Sequence, residues 1–128
     1  MHFRELRADV IFSLAVVLAC VNLATACYAR TDFDGDWNVL IVTREGACEP
    51  ALRYAVKIAD GTVINDGVSI ATVQGRVSQQ GAVRVTVRSS NQWANGSGRF
   101  IRNRGNGLWK GYGTNGACAG TWGAERRQ

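Results

Sequence analysis

The chain has 128 residues, of which 46% are hydrophobic, and its 15 Lys and Arg outnumber 10 Asp and Glu to give a net charge of +5. This length leaves room for a single domain. Fifteen Gly and one Pro are typical of an all-β chain with many tight turns, and they argue against a helical bundle.

Residues 1–29 have the pattern of a secretory signal peptide. Arg4 and Arg7 precede an apolar run at 10–19, which is about ten residues long and so too short to span a bilayer. We therefore predict export to the periplasm or the extracellular space. The mature form is predicted to be a single domain, residues 30–128, with no membrane span.

The end of the signal peptide leaves two alternatives open. Small residues allow cleavage after Ala26 or after Ala29. Cleavage after Ala26 would leave Cys27 at the new N-terminus, where it could carry a lipid anchor. Export without lipidation is the first reading, and an anchor through Cys27 is the alternative.

Two cysteines, Cys48 and Cys118, remain after the signal peptide is removed. Two thiols in an exported domain are most simply paired as a disulfide. This bond would enclose about 70 residues, and the chain-entropy relation gives it an upper stabilisation of roughly 4 kcal/mol.

The rest of the chain reads as about eight short strands separated by turn signals such as Asp60-Gly61, with no helical periodicity. Residues 126–128 are predicted to be a solvated tail. The predicted strands are 37–44, 52–59, 62–64, 68–78, 82–88, 94–102, 108–112 and 117–125, and two of the turns between them are placed at 89–93 and 103–106.

This spacing predicts an all-β fold of antiparallel strands, either a sandwich or a barrel. Tight turns between consecutive strands favour an up-and-down meander, and closure into a small closed or nearly closed barrel would protect the sheet edges. Alternation places Trp109 and Trp122 inward beside glycines, with Trp37 near one end of the barrel. The candidate ligand or core residues are Trp37, Tyr54, Trp109 and Trp122, and whether the interior is filled or holds a small molecule stays open.

The mature chain contains few residues that could carry out catalysis. The only histidine, His2, leaves with the signal peptide, which excludes Ser-His-Asp, Cys-His and His-based metal sites from the mature chain. Asp32, Asp34 and Asp36 resemble the start of a calcium loop, but Thr43 stands at the position where that loop needs a bidentate Glu. The remaining acids fall mostly in turns. We therefore predict no enzyme activity, no metal site and no cofactor.

Basic residues fall mostly at outward positions of the predicted strands. Such a wall could bind an anionic glycan or lipopolysaccharide, although a charged surface also simply keeps a protein soluble. Trp93 and Tyr112, at turn or outward positions, could add stacking surfaces. The candidate basic surface residues are Arg53, Arg84, Arg88, Arg99 and Arg102.

Gly35-Asp36-Trp37 on the first strand, together with the Trp-bearing C-terminal hairpin, resembles the calycins, which are the lipocalin and avidin-like barrels. The first strand of these proteins commonly carries Gly-x-Trp, and members of the family bind small ligands inside the barrel. The resemblance implies an interior ligand site, and comparison with avidin-like proteins implies that Trp109 or Trp122 lines it.

Two further resemblances are looser. The mature segment, from Phe-Asp-Gly-Asp-Trp at 33–37 to Cys-Ala-Gly-Thr-Trp at 118–122, is similar to small uncharacterised exported proteins of Gram-negative bacteria. In architecture the chain also resembles the small periplasmic barrels that inhibit secreted metalloproteases through an N-terminal trunk, which here would be 30–36.

The sequence thus predicts an exported monomer that binds rather than catalyses, with no nucleic-acid partner. The first expectation is a small apolar ligand or envelope component held in or on the barrel. The alternatives are a basic surface that binds anionic glycan or lipopolysaccharide, and a periplasmic protease inhibitor.

Overall fold

The computed structural model describes residues 29–65 and 71–128, and every helix or strand assigned within them is a β-strand. The predicted signal peptide lies outside the described residues, apart from residue 29, and so do Asp66 and the beginning of the predicted strand 68–78. The strands are β1 Gly35–Glu45, β2 Ala51–Ala59, β3 Thr62–Asn65, β4 Thr72–Val77, β5 Ala82–Ser89, β6 Gln92–Ile101, β7 Arg104–Gly113 and β8 Gly116–Arg126.

The strands form one closed antiparallel barrel in simple meander order. Each strand pairs with the next in the chain, and β8 returns to pair with β1 from Trp37–Arg126 to Glu45–Ala119, with an irregularity between Thr43 and Glu45. Closure gives each strand two neighbours and leaves no open sheet edge. The prediction of an eight-stranded meander barrel is therefore confirmed.

The predicted polar turn at 89–93 is wrong. β5 continues to Ser89 and β6 begins at Gln92, so the turn contains only two residues. Ser90 has a φ of 50°, the left-handed conformation that tight two-residue hairpins require. As a result, Trp93 is a strand residue on the outside of the barrel.

The predicted turn at 103–106 is wrong for the same reason. β7 begins at Arg104, and Arg102 has a φ of 54° in the short turn that precedes it. The sequence Asn-Arg-Gly-Asn carries turn-forming residues, but Gly105 instead lies in β7 against the ring of Phe100. In this strand, contact with a large neighbouring ring outweighs the local preference of glycine for turns.

Alternation along the strands separates an inner from an outer face. Among the described residues, the buried apolar set includes Trp37, Ile58, Val77, Phe100 and Ala124, and these side chains form one cluster inside the barrel. The cluster lies where β1 begins and where β2, β4, β6 and β8 end. We call this end of the barrel the floor and the opposite end the mouth.

The predicted disulfide between Cys48 and Cys118 is confirmed, with the two Cα atoms 6.2 Å apart. Cys48 lies in the loop between β1 and β2, and Cys118 lies near the start of β8. Both positions are at the mouth. The bond therefore joins the first hairpin to the last strand at the end of the barrel that the apolar cluster does not reach.

Candidate ligand-binding site

The floor is closed by aromatic packing. Trp37 is fully buried, and its ring meets Phe100 edge-on with the ring centres 4.7 Å apart. Phe33, which precedes β1, packs against Phe100 at 5.9 Å, and Trp37 Nε1 donates a 2.8 Å hydrogen bond to the Phe33 carbonyl. The segment before β1 therefore covers the bottom of the barrel, and the floor leaves no room for a ligand.

Arg126 holds this segment in place from the end of β8. Its Nη1 and Nη2 atoms donate 2.7 Å hydrogen bonds to the carbonyls of Asp34 and Asp32, and its Nε donates to Asn103 Oδ1 at 3.0 Å. The guanidinium carbon also lies 4.6 Å from the centre of the Trp37 ring, an arrangement in which the cation is attracted to the face of the indole.

Asp34 ties the same segment to the turn between β2 and β3. Its carboxylate accepts hydrogen bonds from the Thr31 hydroxyl at 2.7 Å and from the backbone N–H groups of Asp60 and Gly61 at 2.8 and 3.1 Å. Desolvation raises the pKa of Asp34, but these hydrogen bonds outweigh it and hold the pKa below the ordinary value of 3.8.

The interior near the mouth is packed differently from the floor. Side chains with the same inward parity as Trp37 continue along each strand, but here they are only partly buried. They include Val39, Ile41, Val56, Val73, Val85, Val87 and Trp122. Val39, Val56, Val73, Val85 and Trp122 pack against the floor cluster. Side chains therefore fill the interior as far as this layer, and open space is expected only beyond it, toward the mouth.

Two tryptophans, Trp122 and Trp109, lie along the inner wall. Trp122 Nε1 donates a 3.0 Å hydrogen bond to the Ser97 carbonyl, two strands away. A Cβ atom at Gly107, on the strand between them, would lie 2.6 Å from that indole nitrogen. The Trp122 ring therefore occupies space that a side chain at Gly107 would need, and it packs against the Phe100 ring with the ring centres 5.7 Å apart.

Trp109 makes the equivalent contact in the opposite direction. Its Nε1 donates a 3.0 Å hydrogen bond to the Val42 carbonyl on β1, and its ring crosses Gly120 on β8, where a Cβ would lie 2.9 Å from the indole nitrogen. The glycines beside these tryptophans are thus explained by close contact with the rings. The glycines of the C-terminal hairpin therefore allow these rings to lie flat against the inner wall.

Among the described residues, β3 pairs with β4 at Thr62–Arg76 and with β2 over 56–59. Leu52 and Tyr54 lie on β2 beyond that paired stretch, on its inward parity, and are 39% and 38% exposed. Solvent therefore reaches apolar side chains of the inner face at this side of the mouth.

Of the four predicted ligand or core residues, the structure places two at the floor. Trp37 lies in the floor cluster and Trp122 packs against it, whereas Trp109 and Tyr54 lie on the inner face toward the mouth. The predicted inward parity of Trp109 and Trp122 is confirmed. Sequence parity could not distinguish a filled floor from an open mouth, because both lie on the same face of the same strands.

The five predicted basic surface residues are all exposed but do not form one patch. Arg53 lies on β2, on the opposite side of the barrel from Arg99 on β6, and Arg102 lies in the turn at the floor. Arg84 and Arg88 share the outer face of β5, about 13 Å apart along the strand. Arg99 pairs with Ala82 and is therefore a diagonal neighbour of Arg84, at about 7–8 Å.

Two functional features of the floor were missed at the sequence level. The predicted solvated tail is wrong for Arg126, which is partly buried and hydrogen-bonded to the segment before β1. That segment, 30–36, also does not project as the free trunk that a protease inhibitor needs, because Thr31 and Phe33 are buried. The alternation of inward and outward residues along β8 extends to Arg126, and this pattern could have revealed that Arg126 lies at an inward position.

Within the two described stretches of chain, no cluster of three or more His, Cys, Asp or Glu side chains could hold a metal ion. In the same residues, no helix has the length and apolar character needed to cross a membrane. Comparison with protein-family models, with curated proteins and with solved structures finds no match to this chain. The function must therefore be inferred from the fold and the geometry of the barrel.

Proposed function

We propose that the protein is a non-enzymatic, calycin-like barrel that binds a small apolar ligand in the mouth half of its interior. One observation carries this proposal: the inward apolar side chains are buried at the floor, whereas toward the mouth several are partly exposed and Leu52 and Tyr54 are exposed. An unoccupied apolar surface of this kind gains free energy by being removed from water, at roughly 25 cal/mol per Å².

The two wall tryptophans give the proposed site its shape. Trp109 and Trp122 are fixed by hydrogen bonds from their indole N–H groups to backbone carbonyls, so their rings present rigid apolar surfaces. A ligand that enters would lie against these rings without having to reorganise them. Rigid, pre-formed contacts of this kind improve binding because little conformational entropy is lost.

The proposed location of this activity is outside the cytoplasm. The signal-like segment at 1–29 and the Cys48–Cys118 disulfide both support export to an oxidising compartment. A disulfide at the mouth also suits a binder whose open end has little packing of its own.

Gly96 offers a direct test. It lies on the inner face of β6, and a Cβ there would be 3.7 Å from the nearest atom, Trp122 Nε1, which is ordinary contact. Gly96→Leu should therefore fill the interior without forcing the wall apart. The neighbouring change Ser97→Leu, which points outward, is the matched control.

The measurement is a titration with N-phenyl-1-naphthylamine, a neutral apolar dye, followed by dye and tryptophan fluorescence. Wild type and Ser97→Leu should bind the dye and quench tryptophan, with little dependence on salt because no charge is involved. Gly96→Leu should bind it at least about tenfold more weakly. The proposal fails if the wild type does not bind the dye, or if Gly96→Leu and wild type bind it equally.

A further inference from the structure

The outer face of the barrel carries an open groove of about 880 Å³ that runs across the strands from β4 to β8. Barrel walls are hyperboloid, so their outer surface can be concave along the strands. Two outward rows of side chains border the groove. The row nearer the floor is Arg84, Ser97, Leu108 and Thr121, and the row nearer the mouth is Gln74, Thr86, Asn95, Lys110 and Ala119.

The surface of the groove is more apolar than polar, with exposed Leu108 in the row nearer the floor, and its polar groups are hydroxyl, amide and cationic side chains. Thr86 Oγ1 donates a 2.9 Å hydrogen bond to Asn95 Oδ1, which fixes the amide and leaves its N–H groups to face a ligand. Neither the Arg84 guanidinium nor the Lys110 ammonium has a side-chain hydrogen bond or ion pair among the described residues. Glu45 is the single acid in the lining, at one end of the groove. Hydroxyl, amide and unpaired cationic groups together suit a ligand that carries both hydroxyls and anionic groups.

An aromatic row lies next to the groove on the mouth side. Arg88, Trp93 and Tyr112 are outward neighbours across β5, β6 and β7, about 7 Å along the strands from Thr86, Asn95 and Lys110. Trp93 is 40% exposed and Tyr112 is 52% exposed, although large aromatic rings are usually mostly buried. An exposed ring beside hydroxyl and amide groups can stack against the apolar C–H face of a sugar ring.

We propose that the outer groove and its aromatic row bind a chain of acidic sugars, that is, a uronate polysaccharide. Arg84, Arg88 and Lys110 pair with its carboxylates, Asn95 contacts its hydroxyls, and Trp93 stacks on a ring. Cations beside exposed aromatic rings also suit single-stranded nucleic acid. The many hydroxyl and amide groups of the groove and the disulfide of an oxidising compartment favour the glycan.

This site lies on the opposite face of the wall from the interior site, although Gly96 and Trp109 belong to the linings of both. The groove lies on the outer face of β5 to β8, whereas the proposed apolar ligand lies on the inner face of the same strands. Failure of either proposal therefore leaves the other standing, and the variants for each can be chosen on opposite faces.

The test uses polygalacturonate, with neutral dextran as the control polymer, and measures binding by isothermal titration calorimetry. Wild type should bind polygalacturonate but not dextran, and the affinity should fall as salt rises from about 0.05 M to about 0.3 M. Lys110→Glu should weaken binding by about tenfold or more. Trp93→Ala should weaken it by a similar factor, with no change in melting temperature beyond that of an exposed substitution.

Arg53→Glu is the matched charge control, because it changes the net charge as Lys110→Glu does but lies on β2, across the barrel from the groove. It should leave the affinity nearly unchanged. Equal weakening by Arg53→Glu and Lys110→Glu would overturn the site in favour of general charge attraction. Absence of binding to polygalacturonate would overturn it as well. Tighter binding of oligo-deoxythymidine or of phosphatidylglycerol vesicles than of polygalacturonate would replace the glycan by another class of partner.

Discussion

The two ends of the barrel are held together in different ways. At the floor, Trp37, Phe33 and Phe100 pack into a cluster from which water is excluded, and Arg126 fixes the covering segment with hydrogen bonds. At the mouth, the interior side chains remain partly exposed, and the disulfide provides the cross-link. The floor thus depends on the hydrophobic effect, whereas the mouth depends on a covalent bond.

This difference bears on the proposed interior ligand site. An apolar cavity that is left unfilled contributes little to stability, because its lining loses both burial and van der Waals contacts. The stabilisation must therefore come from elsewhere. Here the filled floor supplies the packing, and the disulfide limits how far the mouth can separate. The predictions below test each end, beginning with the largest expected effect.

Removal of the central floor side chain should have the largest effect. Trp37→Ala deletes a fully buried ring and should lower the free energy of unfolding by about 3–5 kcal/mol. Trp93→Ala, on the outer face, should change it by less than about 0.5 kcal/mol. Urea unfolding followed by circular dichroism measures both.

If Trp37→Ala does not fold, Trp37→Phe keeps an aromatic ring and removes the Nε1 donor to the Phe33 carbonyl. This variant should lose about 1–3 kcal/mol, because the buried carbonyl is left without its partner. Equal stability of Trp37→Phe, Trp93→Ala and wild type would contradict the role given to the floor.

Loss of the disulfide should have the next largest effect and should act on the mouth. The bond joins cysteines 70 residues apart, and the double change Cys48→Ala and Cys118→Ala should cost up to about 4 kcal/mol. The near-ultraviolet circular dichroism of the floor tryptophan should persist in the folded fraction, whereas affinity for N-phenyl-1-naphthylamine should fall. Loss of the floor signal with unchanged dye binding would reverse the assignment of the two ends.

The smallest effect should be a pH dependence at the floor. The pKa of Asp34 is lower in the folded protein than its ordinary value of 3.8. Its hydrogen bonds therefore stabilise the fold above that value, and the contribution is lost as the pH falls through the lowered pKa. The loss should be under about 1 kcal/mol, because the carboxylate is only partly buried and solvent screens its interactions.

Melting temperatures measured from about pH 5 to about pH 2 test this point. Asp34→Asn should flatten the acid side of the profile, since the amide carries no charge to lose. Asp36→Asn serves as the control, because the Asp36 side chain accepts no hydrogen bond from the described residues. A profile of Asp34→Asn that parallels wild type would show that other carboxylates cause the acid instability.

Much of the fold could be predicted from the sequence because its signals are local. Alternation of Val83, Val85 and Val87 identifies a strand and its inward face, and Asp60-Gly61 identifies a hairpin turn. Two isolated cysteines identify the disulfide. The turn at 103–106 was wrong because Gly105 is required by the ring of Phe100, a contact between strands that composition alone does not reveal.

The candidate sites were less predictable. Parity places Trp37 and Trp122 on the same inner face, but the degree of packing depends on how the segment before β1 covers the floor. That covering relies on Arg126, which reaches the carbonyl of Asp32 from 94 residues away. The outer groove was hidden for a similar reason: the partners of Lys110 and Asn95 are set by the register of the strands, which no single strand encodes.

The pairing of β1 with β8 has a consequence for how the protein forms. The seam that closes the barrel joins the beginning of the domain to its end, as do the disulfide and the contacts of Arg126. Contacts between distant parts of a chain carry a high loop-closure entropy and fold slowly, on the millisecond-to-second scale for barrels of this kind. The tight hairpins from β5 to β8 can form early, but β1 gains its last partner only when β8 has folded. Until then β1 exposes an apolar edge, so the unfolded chain should be most prone to aggregate before its last strand is in place.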